Sequence, residues 1–186
     1  MTDHKPLFEN EYVKVFKRDT PDGYPYTVVK ARTGLGASII PMIPGKDGKP
    51  SRFLVLSQYR PPMNGVSWEF PAGGVDLGES PKDTAVRELE EETNIKVSAD
   101  VVHFLGEFHN APTILEDKIS LYIAILPEDY DVTQVIPQAG EILETKWLTL
   151  DEIMSRSLSR LDYSLSLIGK LALAKHAGFI SEPLHF

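Results

Sequence analysis

Residues 73–95 read GGVDLGESPKDTAVRELEEETNI, and this stretch decides the fold. Its second half carries the punctuation of a helix over Ser80–Thr93. Ser80 is placed to cap the N-terminus, Pro81 suits the first helical position, and Asp83 stands at the capping-box spacing. Asn94 falls where the helix should stop, because asparagine tolerates the left-handed conformation of a helix end. The first half, with its three glycines, is a shaped loop feeding that helix.

The same helix concentrates acid. Glu88 and Glu92 are i,i+4 neighbours, with Cβ atoms about 5–6 Å apart, and Glu91 is i+3 from Glu88. Carboxylates crowded in this way repel one another. A hard divalent cation relieves the repulsion, since Mg²⁺ prefers carboxylate oxygen. Arg87, beside Glu88, can reach back to Glu79 and hold the loop on the helix. A solvated acidic face, common in any acidic protein, is the reading that spacing alone leaves open.

Working outward, Phe53–Tyr59 reads as a buried strand. The Pro/Gly-rich segment Arg60–Gly78 follows as a long loop with one extended piece at Ser67–Phe70. Ala37–Ile43 is a short apolar run closed by a turn at 44–48. Further upstream, Tyr12–Phe16 and Tyr26–Ala31 flank Thr20-Pro21-Asp22-Gly23, a hairpin signal. A lone hairpin is marginal in water and should pack on something. Downstream, strands are expected at Val101–Phe108, Ile119–Leu126 and Thr145–Leu148, with a flexible polar linker at Pro127–Gly140. Helices are expected at Leu150–Ser157 and Asp162–His176. Mixed elements of this spacing imply an α/β or α+β sandwich, with residues 1–35 as a hairpin arm and 36–186 as the main domain.

Bulk composition sets limits. The chain has 186 residues, 42% hydrophobic and 25% charged, enough for one domain with a real core. It has no cysteine, so disulfides and thiolate metal sites are excluded. A net charge of −8 opposes broad phosphate-backbone binding and leaves a small phosphorylated ligand open. No run reaches the roughly 18 apolar residues of a membrane span, and the first residues lack the apolar core of a signal peptide. The expectation is therefore a cytoplasmic protein that binds neither nucleic acid nor membrane. The five histidines show no H-x-x-x-H spacing, and no nucleophile elbow is present.

The 73–95 segment also resembles the Nudix box. Gly73, Glu79, Arg87, Glu88, Leu89, Glu91, Glu92 and Ile95 fit its pattern, and Asn94 stands where the family has glycine, both being residues that accept positive φ. The runs Gln58-Tyr59-Arg60-Pro61-Pro62, Trp68-Glu69-Phe70-Pro71-Ala72-Gly73 and Gly140-Glu141-Ile142-Leu143-Glu144 are similar to the ADP-ribose pyrophosphatase branch. So is the stretch near 173–177. The resemblance implies a mixed β-sheet between helices, an N-terminal hairpin arm used in a homodimer, and hydrolysis of a nucleoside diphosphate sugar.

It also implies roles. Glu88, Glu91 and Glu92 would hold Mg²⁺ or Mn²⁺, with the Ala72 carbonyl as a backbone ligand and Arg87 paired to a structural Glu79. Arg60 would bind the pyrophosphate, and Glu69 would lie near the ligand. Arg60 has a local argument too, since it ends an apolar strand where a guanidinium can fork onto phosphate; a surface salt bridge is the alternative. Glu141 is the candidate general base or additional metal ligand, able to swing on the linker before it; Glu144 is its competitor, with Asp117 or Glu116 next in line. Asp117, in the loop 112–118, is a candidate substrate contact or a solvated turn. From the arm, Tyr26 would stack on the nucleobase and Arg32 would reach the ligand, core or surface roles being equally open for both. Trp68 and Trp147 read as core.

Overall fold

A computed structural model describes residues 5–159 together with 175 and 178. Two sheets account for its strands. The smaller is antiparallel, with β1 (Phe8–Glu9), β2 (Val13–Asp19) and β3 (Pro25–Ala31) in that order. The larger has seven strands: β4 (Leu35–Ile43), β5 (Arg52–Arg60), β6 (Gly65–Glu69), β7 (Ala72–Gly74), β8 (Val102–Phe108), β9 (Lys118–Ile125) and β10 (Ile142–Leu148). Its path runs β10-β5-β4-β9-β8, with β6 on β5 and β7 on β4. β4 and β9 pair in parallel and the other neighbours antiparallel, so the sheet is mixed.

Side-chain alternation along a strand assigns each face a helix. Ala37, Ile39, Leu54, Tyr122 and Ala124 pack with Ala85 and Leu89 of α1 (Pro81–Thr93). Ile40, Met42, Phe53, Val55, Leu121 and Ile123 pack with Leu150 and Ile153 of α2 (Leu150–Ser159). Burial of each valine, leucine, isoleucine, methionine or phenylalanine side chain among them contributes about 1.5–3 kcal/mol. β4, buried on both faces, therefore reads as a near-continuous apolar run in sequence. The fold is the expected mixed sheet between helices. Among the described residues, no helix is long and apolar enough to cross a membrane.

The cap signals of α1 are realised atom by atom. Ser80 Oγ accepts from the Asp83 amide at 3.1 Å, and Asn94 ends the helix at φ 61°, its amide bonded to the Glu90 carbonyl. Elsewhere the structure adds to the sequence reading. The loop after Arg60 holds a 3-10 turn at Pro61–Met63, then β6 and the unanticipated β7. β10 starts at Ile142 rather than Thr145, because a bulge at 143 lets the strand begin earlier. The expected helix at Asp162–His176 lies outside the described residues.

The linker 127–140 is corrected most. It is docked, not flexible. Tyr130, Val132 and Val135 pack on the α1 side of the core. The Ile136 amide donates to the Thr93 carbonyl at 2.9 Å, and the Gln138 amide to the Glu92 carbonyl at 3.1 Å. These donors satisfy carbonyls at the helix end that have no partner within the helix. The residue that follows is thereby tied to the helix bearing the acidic cluster.

The hairpin also finds its packing. The Val29 amide donates to the Ile114 carbonyl at 2.9 Å, and the Glu116 amide to the Val29 carbonyl at 2.8 Å. The loop between β8 and β9 thus extends the edge of the small sheet.

Candidate active site

One cleft of about 370 Å³ opens between the two sheets. Arg60, Glu69, Ala72, Gly73, Asn110 and Asp117 are among its lining residues. β5 and β6 supply the first two. Arg60 forks onto Glu69, Nε to Oε1 at 2.8 Å and Nη2 to Oε2 at 2.7 Å. Glu69 is only 3% exposed while the Arg60 side chain is 37% exposed, so the pair lines the cleft with its guanidinium partly open to it. Asp117 is held by the Asn110 amide, which reaches both of its carboxylate oxygens, and its own carbonyl meets His109 Nδ1.

Against β7 lies the acidic helix. The glycine at 73 is required by close approach: a Cβ there would stand 1.9 Å from Glu88 Oε1. Glu92 Oε2 accepts from the Ala72 amide at 3.2 Å. Arg87 gathers the outer acids. It donates to both oxygens of Glu79 at 3.0 and 3.1 Å, to Glu88 at 2.8 Å, to Glu91 at 3.0 Å, and to the Gly74 carbonyl at 3.3 Å. Glu79 also accepts from Thr84 Oγ1 at 2.7 Å.

The charges divide accordingly. The hydrogen bonds from Arg87 and then Thr84 hold the Glu79 carboxyl down to about 2, and Glu79 in turn raises Arg87. Burial raises Glu88, with Arg87 opposing and the Glu91 and Glu141 charges adding to the rise. Glu92 is pushed up to about 8, first by burial and then by the charge of Glu88, with Glu141 adding. Glu141 is therefore close enough to act on both helix carboxylates. Its Oε1 accepts from Gln58 Nε2 at 2.6 Å. Glu144, its rival, pairs with Lys146 at 2.5 Å on β10.

The donor set suits a hard divalent ion. Glu88 and Glu92 are oxygen ligands whose ionised forms are destabilised by burial and by neighbouring acids, which is the state a cation reverses. Among the described residues, however, no three acidic or histidine side chains are already gathered as a ligand set. Glu91 is half exposed and drawn outward by Arg87, while Glu92 points to β7.

The arm residues stand apart. Tyr26 lines a smaller neighbouring cleft of about 260 Å³ with Arg18, His109, Glu116 and Asp117, and its ring meets Tyr24 edge-on. Arg32 is exposed and faces Asp76 at 3.8 Å, outside the main cleft. Trp68 lies half-buried under Lys146, and Trp147 packs with Tyr130. Sequence reasoning gave Glu116 only a reserve role. Its carboxylate takes both Lys30 and Arg18 of the hairpin at 2.5 Å and lines both clefts. It also passed over Gln58, whose signal was an amide at the end of an apolar strand.

A mixed sheet between helices, with a glycine loop and an arginine-organised acidic helix beside a charged cleft, defines the class. Residues 32–165 match the NUDIX domain, and the chain belongs to the Nudix family. Similar chains include an ADP-ribose pyrophosphatase of Saccharomyces cerevisiae, 48% identical over 58 residues, which are 31% of this chain and 25% of that one. An ADP-sugar pyrophosphatase of Mus musculus is 40% identical over 70 residues, 38% of this chain and 32% of that one. The chain thus matches a third or less of the length of these relatives. A solved ADP compounds hydrolase shares the fold, with a TM-score of 0.62 at 19% identity, over 92% of this chain and 89% of that one.

Proposed function

We propose that the chain hydrolyses the pyrophosphate bond of ADP-ribose and other nucleoside diphosphate sugars, giving a nucleoside monophosphate and a sugar phosphate. One observation carries this reading: a single cleft brings Arg60, Glu69 and Asp117 together with the Ala72–Gly74 strand, against which Glu88 and Glu92 lie. Relatives named for ADP-ribose and ADP-sugar substrates support the choice of substrate.

In this reading Glu88, Glu91, Glu92 and the Ala72 carbonyl hold Mg²⁺, for which Mn²⁺ substitutes. When bound, the ion supplies positive charge to the phosphoryl oxygens and acidity to the attacking water. Arg60 binds the pyrophosphate, with its fork fixed in the cleft by Glu69. Arg87 keeps Glu79, Glu88 and Glu91 in register. Glu141 accepts the proton of the water as its oxygen attacks one phosphorus and the bridging P–O bond breaks. Asp117 contacts the sugar side. Tyr26 and Arg32 approach the nucleoside from the arm, in a homodimer that buries the arm's exposed Leu7, Phe8, Tyr12 and Tyr24.

The test is incubation with Mg²⁺ and ADP-ribose, with products separated and quantified. AMP and ribose 5-phosphate in equal amounts are expected. A panel of GDP-mannose, dinucleotides and ATP ranks the alternatives. No turnover of any nucleotide sugar would sink the proposal.

A further inference from the structure

Gln58 is misplaced if only the fold is considered. It follows Phe53, Leu54, Val55 and Leu56 on β5, each at most 1% exposed, and is itself 5% exposed. Alternation puts Leu54, Leu56, Gln58 and Arg60 on the face that α1 covers. An aliphatic side chain would suit that position, because an amide must be stripped of water to enter it. Gln58 recovers little of that loss. Nε2 donates to Glu141 Oε1 at 2.6 Å, while its own Oε1 is buried without a partner. A half-satisfied buried amide works against stability, and such local conflicts mark functional positions.

The backbone puts this amide where Glu141 leaves the sheet. Gln58 is the Cα partner of Ile142, the residue after Glu141, and the bulge at 143 follows at once. Upstream, Gly140 turns at φ 86° and the Gln138 amide is fixed to the end of α1. The backbone at Glu141 is therefore anchored on both sides, and the side chain is held by Gln58. The holder matters chemically. A guanidinium, like the one on Glu91, neutralises a carboxylate while orienting it. A neutral amide orients it and leaves its charge in place.

We infer that Gln58 is a positioning residue for Glu141, holding one carboxylate oxygen so that the other faces the acidic cluster and the water whose proton it takes. This rests on the proposed role of Glu141. The amide does not touch substrate; it acts through the carboxylate it orients.

The test is a double-mutant cycle. Gln58→Met replaces the amide with an apolar chain of similar length, and Gln58→Leu repeats the change with another shape. Both should fold at least as stably as the parent in a thermal scan. Each should lower kcat about 10–100-fold with KM within about twofold, the signature of a misplaced group and not of lost substrate binding. In a Glu141→Gln background the same substitutions should cost nothing further. Loss of kcat that multiplies in full on Glu141→Gln would show that Gln58 acts independently, and would overturn the inference. So would parent-like kcat in Gln58→Met and Gln58→Leu while Glu141→Gln is impaired, an outcome that leaves the role of Glu141 standing. Failure of both Gln58 variants to fold would make the amide a structural residue and overturn it too. Parent-like kcat in Glu141→Gln would instead remove the role of Glu141, and the inference with it.

Discussion

The acidic helix wall and the arm wall of the cleft hold charge in opposite ways. On the helix, Glu88 and Glu92 are raised above their ordinary values by burial first and then by neighbouring acids, Glu91 and Glu141 acting on Glu88, and Glu88 and Glu141 on Glu92. On the arm side, burial also pushes Glu116 up, but Lys30 and Arg18 pull harder and leave it lowered. On the helix wall one cation, Arg87, serves three carboxylates, Glu79, Glu88 and Glu91; on the arm wall two cations, Lys30 and Arg18, serve one. Carboxylates that outnumber their cation suit an incoming one. A balanced cluster is a clamp that holds hairpin to loop. Proximity to a cleft therefore does not by itself mark a residue for chemistry; the direction in which its protonation is displaced separates the two.

The largest expected effect breaks the helix wall. Glu92→Gln should lower kcat by about 10³-fold or more, as loss of a key electrostatic group does, and Glu91→Gln should also fall severely. In the presence of a chelator the sign reverses for stability. Glu92 binds its proton more tightly folded, at about 8, than at its ordinary value of 4.5. Its stabilising contribution is full below about pH 4.5 and is lost as pH rises through about 8. Metal-free protein should thus lose melting temperature between pH 5 and 8, and Glu92→Gln should flatten that slope. At pH 8 the variant should melt a few degrees higher, each 1 kcal/mol being about 2–4 °C for a chain of this size. Parent-like turnover at low Mg²⁺ would remove Glu92 from the metal site.

The next effect tests the border between the walls. Glu141→Gln should cost about 10²–10⁴-fold in kcat, whereas Glu144→Gln, with the same charge change, should stay within about threefold. Glu144 pairs with Lys146 on β10, a contact that contributes little at the surface. A large loss in Glu144→Gln with none in Glu141→Gln would reverse the assignment.

Legibility follows the same division. The helix wall was readable because its residues lie within one capped helix, where i,i+3 and i,i+4 spacing fixes neighbours. Ser80, Asp83, Arg87 and Asn94 each act locally, so the sequence order contains their geometry. The strands were readable from apolar runs, with ends displaced by a bulge at 143 and by the short β7. What was not readable depends on pairing across long separations. Gln58 meets Glu141 only because β5 pairs with β10, and the linker docks only because helix-end carbonyls need donors. Arg60 meets Glu69 only because β5 pairs with β6, a contact that sequence order does not contain.

A third effect concerns the arm as a whole. A chain lacking residues 1–35 removes the hairpin and exposes the loop that Val29 braces. Loss of the proposed dimer in a sizing experiment is expected, with KM for ADP-ribose raised about tenfold, equivalent to about 1.4 kcal/mol. A soluble, monomeric, fully active truncation would detach the arm from the site.

The smallest effect, and the sharpest test of the comparison, is at Glu116. It is the fallback base if Glu141 is not one, since it lines the same cleft next to Asp117. Its surroundings argue for the clamp instead. Both of its oxygens are engaged by hairpin cations, and its lowered affinity for protons makes it a poor acceptor at neutral pH. Glu116→Gln removes the charge that Arg18 and Lys30 balance but keeps the backbone bonds through Val29. These pairs are about a third exposed, so each contributes about 1 kcal/mol at most. The clamp reading expects KM to rise about twofold to fivefold with kcat within about twofold, because a looser hairpin binds substrate less well without touching the reacting atoms. Added salt should narrow the gap between parent and variant, as screening weakens the same pairs in the parent. The lowered proton affinity gives a second sign. The Glu116 contribution to stability is present above its ordinary value and lost as pH falls, opposite to that of Glu92. The variant should therefore narrow its stability gap with the parent in acid. A kcat loss of 10²-fold or more, with KM unchanged, would put Glu116 in the chemistry and erase the distinction between the walls.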